Sequence, residues 1–417
     1  MRTGLSVDEA QRAILEATPV MGSETVPVRE ALGRVLCEAV RSTRTLPPAD
    51  CSAMDGYAVR RADLLGASAD RPIGVDVVFE VAAGAQPPCA IEAGQAARIF
   101  TGAPLPPGAD SVVRQEDTQR EGDRVLIAVE PEPREHVRDA GEDLKIGEAV
   151  LEPGDAIRPP QVGLLASLGR SVVAVHQRPR VAILSGGDEL VEPDGDISGG
   201  RIVSSNSYAL AAQCLEAGAD PVYLGIARDH PDEIEARLRS GLRADCIVSS
   251  AGVSVGDRDY VRSVLEKLGC ELDFWGVNMK PGYPLAFGTF GGGLPLVFGL
   301  PGNPVSAMVT FEQFVRPALR KMTGQRAWYR PTLQAKLGER LTKSPGRLHF
   351  VRVSLERRDG EVIARTTGSQ SSGVLRSMSL AQGLLVFPAE ASELAEGEMA
   401  TVQIVDESFF SCDSRGF

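Results

Sequence analysis

From Arg180 to about Gln325 the chain alternates between short continuous apolar runs and longer stretches with apolar residues at helical spacing. Val181–Leu184, Val222–Ile226 and Asp245–Ser249 read as strands, followed by runs near Phe274–Met279, Leu285–Phe290 and Leu296–Phe298. Helices are predicted from about Asn206 to Ala217, stopped by Gly218, from Pro231 to about Leu242 with Asp229 close to its N-cap, and over Val261–Leu268. A fourth helix opens at Asn303-Pro304. Strands alternating with helices imply a mostly parallel sheet whose ligands sit at the carboxyl ends of its strands.

The flanks have other rhythms. Residues 1 to about 45 read as helical, with Ser6 and Asp8 as start signals and Val7, Ala10, Ile14 and Leu15 on one face. From Pro47, short apolar runs such as Gly74–Val81, Ala97–Thr101, Ser111–Arg114 and Val125–Val129 alternate with Gly/Pro turns and predict a β-rich insertion. Beyond Gln325 the texture is β again, through Leu348–Leu355, Glu361–Thr366 and Gly383–Pro388. The expected fold class is therefore multidomain α/β and β. A helical N-terminal domain (1–46 with 138–177) carries an inserted β-rich domain (47–137). A central α/β domain (178–325) and a C-terminal β-barrel-like domain (326–417) follow.

Composition narrows the function classes. A net charge of −12 over 417 residues argues against a general nucleic-acid or anionic-membrane surface. No apolar run approaches the ~18–20 residues of a membrane span, and the N-terminus reads as an amphipathic helix rather than a signal peptide. Seven scattered cysteines without a CxxC pair suit a reduced, cytoplasmic protein. Four histidines with no HxH or HExxH grouping make histidine-based metal or triad chemistry a poor fit.

Candidate chemistry lies in loops after the strands. SSAGVSVGDRDY (Ser249 to Tyr260) combines a Gly- and Ser-rich turn, able to cradle an anion, with Asp257 and Asp259. Acids beside a phosphate repel it unless a cation stands between, which points to Mg²⁺ and a phosphorylated ligand. The other reading is an ordinary strand-to-helix turn with Asp257 as cap, and the window alone leaves both open. SGGDEL (Ser185 to Leu190) offers glycine N–H groups with Asp188 and Glu189, or is a solvated acidic turn. MKPGYP (Met279 to Pro284) places Lys280 just after a strand, where it meets an anion or is a surface lysine. LPGNP (Leu300 to Pro304) has a complete structural explanation, with Asn303 capping and Pro304 at the first helical position. Taken together, N–H donors, a lysine and four acids around one sheet edge equip a Mg²⁺-dependent site for a phosphate or tetrahedral oxyanion. DCSAMDGYAV, TGAPLPPGAD and RDAGEDLKIG are further tight loops in the first half.

The ordered set SAMDGYAV, TGAP, GEDLKIG, SGGDEL, SAGVSVGDRDY, KPG and LPGNPVSA resembles the molybdopterin molybdenumtransferase family, the bacterial MoeA proteins and the gephyrin E domain. The resemblance covers nearly the whole chain. It implies a homodimer of elongated four-domain subunits that inserts molybdate into the dithiolene of adenylyl-molybdopterin, with Mg²⁺ or Zn²⁺ assistance and release of AMP. By matching motif, Asp188, Glu189, Asp257 and Asp259 would hold the cation or nucleotide end. Gly252, Ser254 and Gly256 would cradle phosphate, Gly187 and Ser250 would also bind substrate, and Lys280 would favour the anionic substrate. Pro301, Gly302 and Asn303 would shape the pocket wall, and Arg352 and Ser372 would bring charge and a hydroxyl from the C-terminal domain. Asp55 and Thr101 would reach the partner's pocket. Implied partners are a molybdopterin adenylyltransferase and molybdoenzymes.

The sequence departs from the pattern in places. Tyr283 stands where the family's KPGKP has a second lysine, and Gly276 where another often follows the Phe-Trp pair. Gly186-Gly187-Asp188, Ser204-Ser205-Asn206 and Ser250-Ala251-Gly252 replace TGDEL, DSN or DTN, and SGGVSVG at the matching positions. Fewer cations imply weaker or different oxyanion binding. The alternatives are therefore a divergent paralogue acting on tungstate or another oxyanion, and an interaction scaffold of the gephyrin E-domain type. An adenylyltransferase acting one step earlier fits less well, because such enzymes are small single domains.

Overall fold

Burial alternates residue by residue along the central strands. Val181, Ile183, Cys246, Val248, Leu296 and Phe298 enter one apolar cluster, while Ala182, Leu184, Ile247 and Val297 enter another. The period-2 geometry of a strand sends neighbours to opposite faces, so a continuous apolar run needs cover on both sides. The helix Ser205–Ala217 and the helix opened by Pro304 cover the first face through Leu210, Cys214, Val305 and Val309. The helices Pro231–Gly241 and Tyr260–Lys267 cover the second through Ile234, Leu238, Val261 and Leu265.

The computed structural model describes residues 1–250, 260–291 and 293–411. The described chain falls into two compact units, one of Met1–Cys37, Pro153–Val162 and Ser171–Phe417, the other of Glu38–Glu152 and Gly163–Arg170.

In the first unit a seven-stranded sheet runs in the order Arg2–Leu5, Cys270–Val277, Ala286–Phe290, Gly293–Leu300, Cys246–Ser250, Arg180–Gly186, Asp220–Ala227. Neighbours pair in parallel except around Ala286–Phe290, which is antiparallel to both of its partners. The chain starts the parallel part at Arg180–Gly186, crosses to one side, then returns to Cys246–Ser250 on the other. That reversal leaves a crevice at the carboxyl ends of these two strands.

The same unit carries a closed five-stranded barrel. Leu348–Arg358 pairs with both Glu361–Thr366 and Gly383–Phe387, and Thr332–Leu337 and Met399–Ile404 complete the ring. Ala335, Val353, Leu385, Phe387 and Val402 fill it. The short strand Met279–Lys280 joins the outside of this ring, with Lys280 opposite His349. The expectation of a multidomain fold with a mostly parallel α/β sheet, β-rich regions and a C-terminal barrel holds.

The N-terminal stretch differs from its helical reading. Ser6 and Glu9 form a reciprocal capping box and start the helix Val7–Ala17, as the start signals imply. Around it, however, Arg2–Leu5 adds a parallel edge strand and Ser23–Pro27 pairs with Val172–His176. Pro19 and the β-branched residues of Thr25-Val26 do not favour helix beyond Ala17. The N-cap of the helix Pro231–Gly241 is His230, with Asp229 next to it, close to the N-cap as expected.

In the second unit a six-stranded sheet runs Ser111–Arg114, Gly56–Val59, Gln95–Ile99, Ile73–Val81, Arg124–Ile127, Thr118–Glu121. Tyr57, Val59, Val75, Val113 and Val125 bury on one face and Ala58, Val81, Ile99 and Val112 on the other. Gly56 lies so close to the neighbouring strand that a Cβ would stand 1.9 Å from the Val113 carbonyl oxygen. A backbone carbonyl in a ladder cannot step aside. Gly56→Ala is therefore expected to cost roughly 1–3 kcal/mol or more, measured as a lower denaturation midpoint.

Candidate functional site

At the reversal between Arg180–Gly186 and Cys246–Ser250 a cavity of about 420 Å³ opens. Gly186, Glu189, Ser204, Asn206, Ser250 and Asn303 line it, together with Gly302. Its floor is a hydroxyl network. Ser185 Oγ lies 2.6 Å from Ser207 Oγ and 3.1 Å from Ser250 Oγ, and Ser204 Oγ is 2.9 Å from Ser207 Oγ. All four serines are buried, and buried hydroxyls are tolerated because they bond one another.

The LPGNP turn supplies the opposite wall. Asn303 occupies the N-cap position, but its side chain makes no capping hydrogen bond. The cap position and Pro304 at the first helical turn are as expected, while the Asn303 amide is exposed on the cavity lining. Asn206 Nδ2 donates to the Gly302 carbonyl at 2.8 Å and fixes the turn. The buried serines and Asn206 carry the site's polar floor; Ser185 and Ser250 lie in loops already singled out, whereas Ser207 had no signal beyond the run Ser204-Ser205-Asn206-Ser207.

Asp188 and Glu189 diverge. Glu189 lines the first cavity, whereas Gly187 and Asp188 line a larger one of about 930 Å³ with Arg228, Glu233 and Arg237. Asp188 Oδ1 accepts the Asp229 N–H at 3.1 Å. Among the described residues no group of three or more His, Cys, Asp or Glu is placed to hold a metal ion. Gly252, Ser254, Gly256, Asp257 and Asp259 lie outside the described residues.

A third cavity of about 600 Å³ surrounds the KPG loop, lined by Lys280, Tyr283, Ser306, Arg347, Gln370 and Ser372 among others. It stands beside the same turn, since Val305 N–H donates to the Ser372 carbonyl at 3.1 Å. Arg352 lies behind its wall, fully buried. Its guanidinium donates to Ser377 Oγ at 2.9 Å and to the Ser369 and Ser371 carbonyls at 3.1 Å each. Among the described residues its Nη1 has no partner. Burial pushes the Arg352 pKa down, as expected for a desolvated cation held by neutral acceptors.

His349, opposite Lys280, is buried with neither ring nitrogen bonded among the described residues. Burial first, and then the charges of Lys280, Arg352 and Lys343, push it down to about 4, so it is neutral near pH 7. Sequence reasoning found Lys280, Arg352 and Ser372 but missed Arg347 and His349, which have no motif of their own.

Asp55 and Thr101 belong to the other unit, where they touch one another. Asp55 Oδ1 accepts the Thr101 N–H at 2.8 Å and the Thr101 hydroxyl at 2.9 Å. These bonds hold the exposed Asp55 carboxyl below the usual range. Asp50, in the same loop, accepts from Ala140 N–H at 2.8 Å and from Arg134 at 2.7 Å, which ties the loop to the Arg138–Gly147 segment.

No helix among the described residues is long and apolar enough to cross a membrane. Comparison with known proteins agrees along the whole chain. The family model of the MoeA N-terminal region (domains I and II) matches residues 5–169. That of a probable molybdopterin binding domain matches 182–321, and that of the MoeA C-terminal region (domain IV) matches 334–405. A molybdopterin molybdenumtransferase of Nostoc is 39% identical, over 94% of this chain and 92% of its own length. Molybdopterin molybdenumtransferase 2 of Mycobacterium tuberculosis is 38% identical, over 95% and 98%. The crystal structure of a molybdopterin biosynthesis MoeA protein from Pyrococcus horikoshii superposes with a TM-score of 0.82 at 30% identity, over 96% of this chain and all of that one. With a shared sheet, barrel and full-length identity, this chain belongs to the molybdopterin molybdenumtransferase (MoeA) family, transferases of molybdenum cofactor biosynthesis.

Proposed function

We propose that this chain inserts molybdenum from molybdate into adenylylated molybdopterin with release of AMP. One observation carries the reading: two cavities of opposite chemistry share the Asn303–Ser306 turn. The first offers hydroxyls, an amide and the Glu189 carboxylate, suited to a nucleotide phosphate with its counter-ion. The second offers Lys280 and Arg347 with no carboxylate among its described lining residues, suited to a tetrahedral dianion. A substrate spanning the turn brings its anhydride to one side and its metal-accepting end to the other.

Mg²⁺ or Zn²⁺ is part of this proposal. Glu189 and the hydroxyl oxygens are hard donors, and Mg²⁺ at phosphate sites is held by one or two carboxylates plus the substrate's own oxygens. Bound there, such an ion neutralises phosphate charge and polarises a phosphoryl oxygen. Asp188 and the acids of the Asp257–Asp259 segment remain candidate ligands. Lys280 binds the oxyanion, the Ser372 segment shapes its cavity, and Gly302 and Asn303 orient the substrate at the turn. Asp55, held by the Thr101 N–H and hydroxyl, serves the site of a second subunit in a homodimer. The substrate comes from a molybdopterin adenylyltransferase and the product passes to molybdoenzymes, both in the cytoplasm.

The test is AMP release by purified protein given adenylyl-molybdopterin, Mg²⁺ and molybdate. Lys280→Ala should lower it by about a hundredfold, the usual effect of removing one charge-stabilising donor. Undiminished release by that variant would remove Lys280 from the site.

A further inference from the structure

The charge balance around the KPG loop is unusual for so acidic a chain. The protein carries a net charge of −12, yet among the described residues the lining of this cavity contains no Asp or Glu. Among the described residues Lys280, Arg347 and Arg352 form no ion pair, and neutral His349 beside Lys280 adds no negative charge. Lys280 and Arg347, on one lining without a counter-charge among the described residues, repel one another, and a dianion placed between them relieves that repulsion.

Arg347 is exposed and follows a glycine turn, so nothing on its own backbone fixes its guanidinium. Tyr283 does. The Arg347 Cζ stands 4.4 Å from the Tyr283 ring centroid. The ring is itself held on two other sides. Trp275 meets it edge-on at 5.6 Å and 82°. Gly276, at φ +81°, lies beneath it, where a Cβ would approach the ring Cζ and Oη to 3.2 Å. Any side chain at 276 would displace the ring. Gly276 and Tyr283, the two departures from the family's lysines, are thus one packing arrangement, and Arg347 stacks on it.

Resting on the molybdate reading above, we infer that Tyr283 and Arg347 act as one oxyanion-binding device. The ring lays the guanidinium plane against the cavity, and Arg347 with Lys280 grips a tetrahedral dianion such as molybdate or tungstate. Arg347 is the binding residue and Tyr283 the positioning residue. An arginine fork offers paired, planar donors where a lysine offers a point charge, so the device favours two oxygens of one anion.

The test is calorimetric titration of the full-length protein with sodium molybdate, with no pterin present, and with sodium nitrate as a monoanion control. Arg347→Ala is expected to weaken molybdate binding about tenfold to a hundredfold, the scale of a lost charge-assisted hydrogen bond. Tyr283→Leu should give a similar loss and Tyr283→Phe almost none, since the platform is the ring. The double variant Arg347→Ala/Tyr283→Leu should lose no more than either single, because the two act through one contact. Nitrate should bind far more weakly than molybdate. If Arg347→Ala and Tyr283→Leu bind like the wild type while Lys280→Ala does not, the device is overturned and the proposed function stands. Additive losses, or nitrate binding equal to molybdate, overturn it as well. If Lys280→Ala also binds like the wild type, the anion-cavity reading falls with it.

Discussion

Arg352→Met is expected to reduce molybdate-dependent AMP release by about a hundredfold or more. The barrel should remain folded, because methionine fills similar apolar volume on the strand Leu348–Arg358. Arg352 is fully buried, which desolvates its charge, and it bonds only neutral oxygens among the described residues. A cation so placed contributes poorly to stability. It holds the Ser369 and Ser371 carbonyls in the loop beside Lys280, and on the proposed reading its field also draws an anion. Thermal unfolding with and without molybdate separates the two contributions. Ligand at a hundred times its Kd stabilises the native state by about 2.7 kcal/mol. The wild type should gain this stabilisation and Arg352→Met should not. A variant with wild-type AMP release and an intact ligand-induced shift would exclude the buried charge from the site.

Glu312→Ala should be the most destabilising single change, by roughly 3–5 kcal/mol, the usual cost of stripping one partner from a buried ion pair. Glu312 is 4% exposed within the helical segment after the LPGNP turn. Its Oε2 accepts Arg330 Nε at 3.0 Å, and its Oε1 accepts Gln213 Nε2 at 2.9 Å. Arg316 Nε stands 3.6 Å away. Burial opposes the charge on Arg330, and the hydrogen bonds and charge of Glu312, joined by Glu216, overcome it, so its pKa is raised. Without Glu312, Arg330 keeps only Glu216, and Arg316 loses its ion-pair partner. The loss should appear as a lower urea midpoint. Glu312→Gln, which keeps the shape and some hydrogen bonds, should lose less. A midpoint within experimental error of the wild type would show that the arginines find other partners.

Much of the fold was legible because local rules and tertiary packing agree. Val181–Leu184 and Cys246–Val248 are apolar without a break because both faces of their sheet are covered. Ser6 and Glu9 announce a helix by satisfying its free N–H groups, and the turn spacing in the second unit follows its strands. Where local rules were silent, the reading failed. Arg2–Leu5 and Ser23–Pro27 are strands because distant partners, Cys270–Val277 and Val172–His176, offer edges to pair with. No local pattern contains that information.

The site divides in the same way. The chain by itself determined the family, the order of the loops and the residue types each brings to a strand end, because a motif is a local fact. Only the tertiary structure decided that adjacent Asp188 and Glu189 line different cavities, that the N-cap Asn303 turns its amide to a cavity lining with no capping side-chain bond, and that buried serines from two strands and a helix form one floor. It alone set Arg347, 64 positions after Tyr283, upon that ring. Cavities are made by residues far apart in sequence, and their charge balance depends on distance in space. Gly276 and Tyr283 are visible in the sequence, and the arginine stacked on that ring is visible only in the fold.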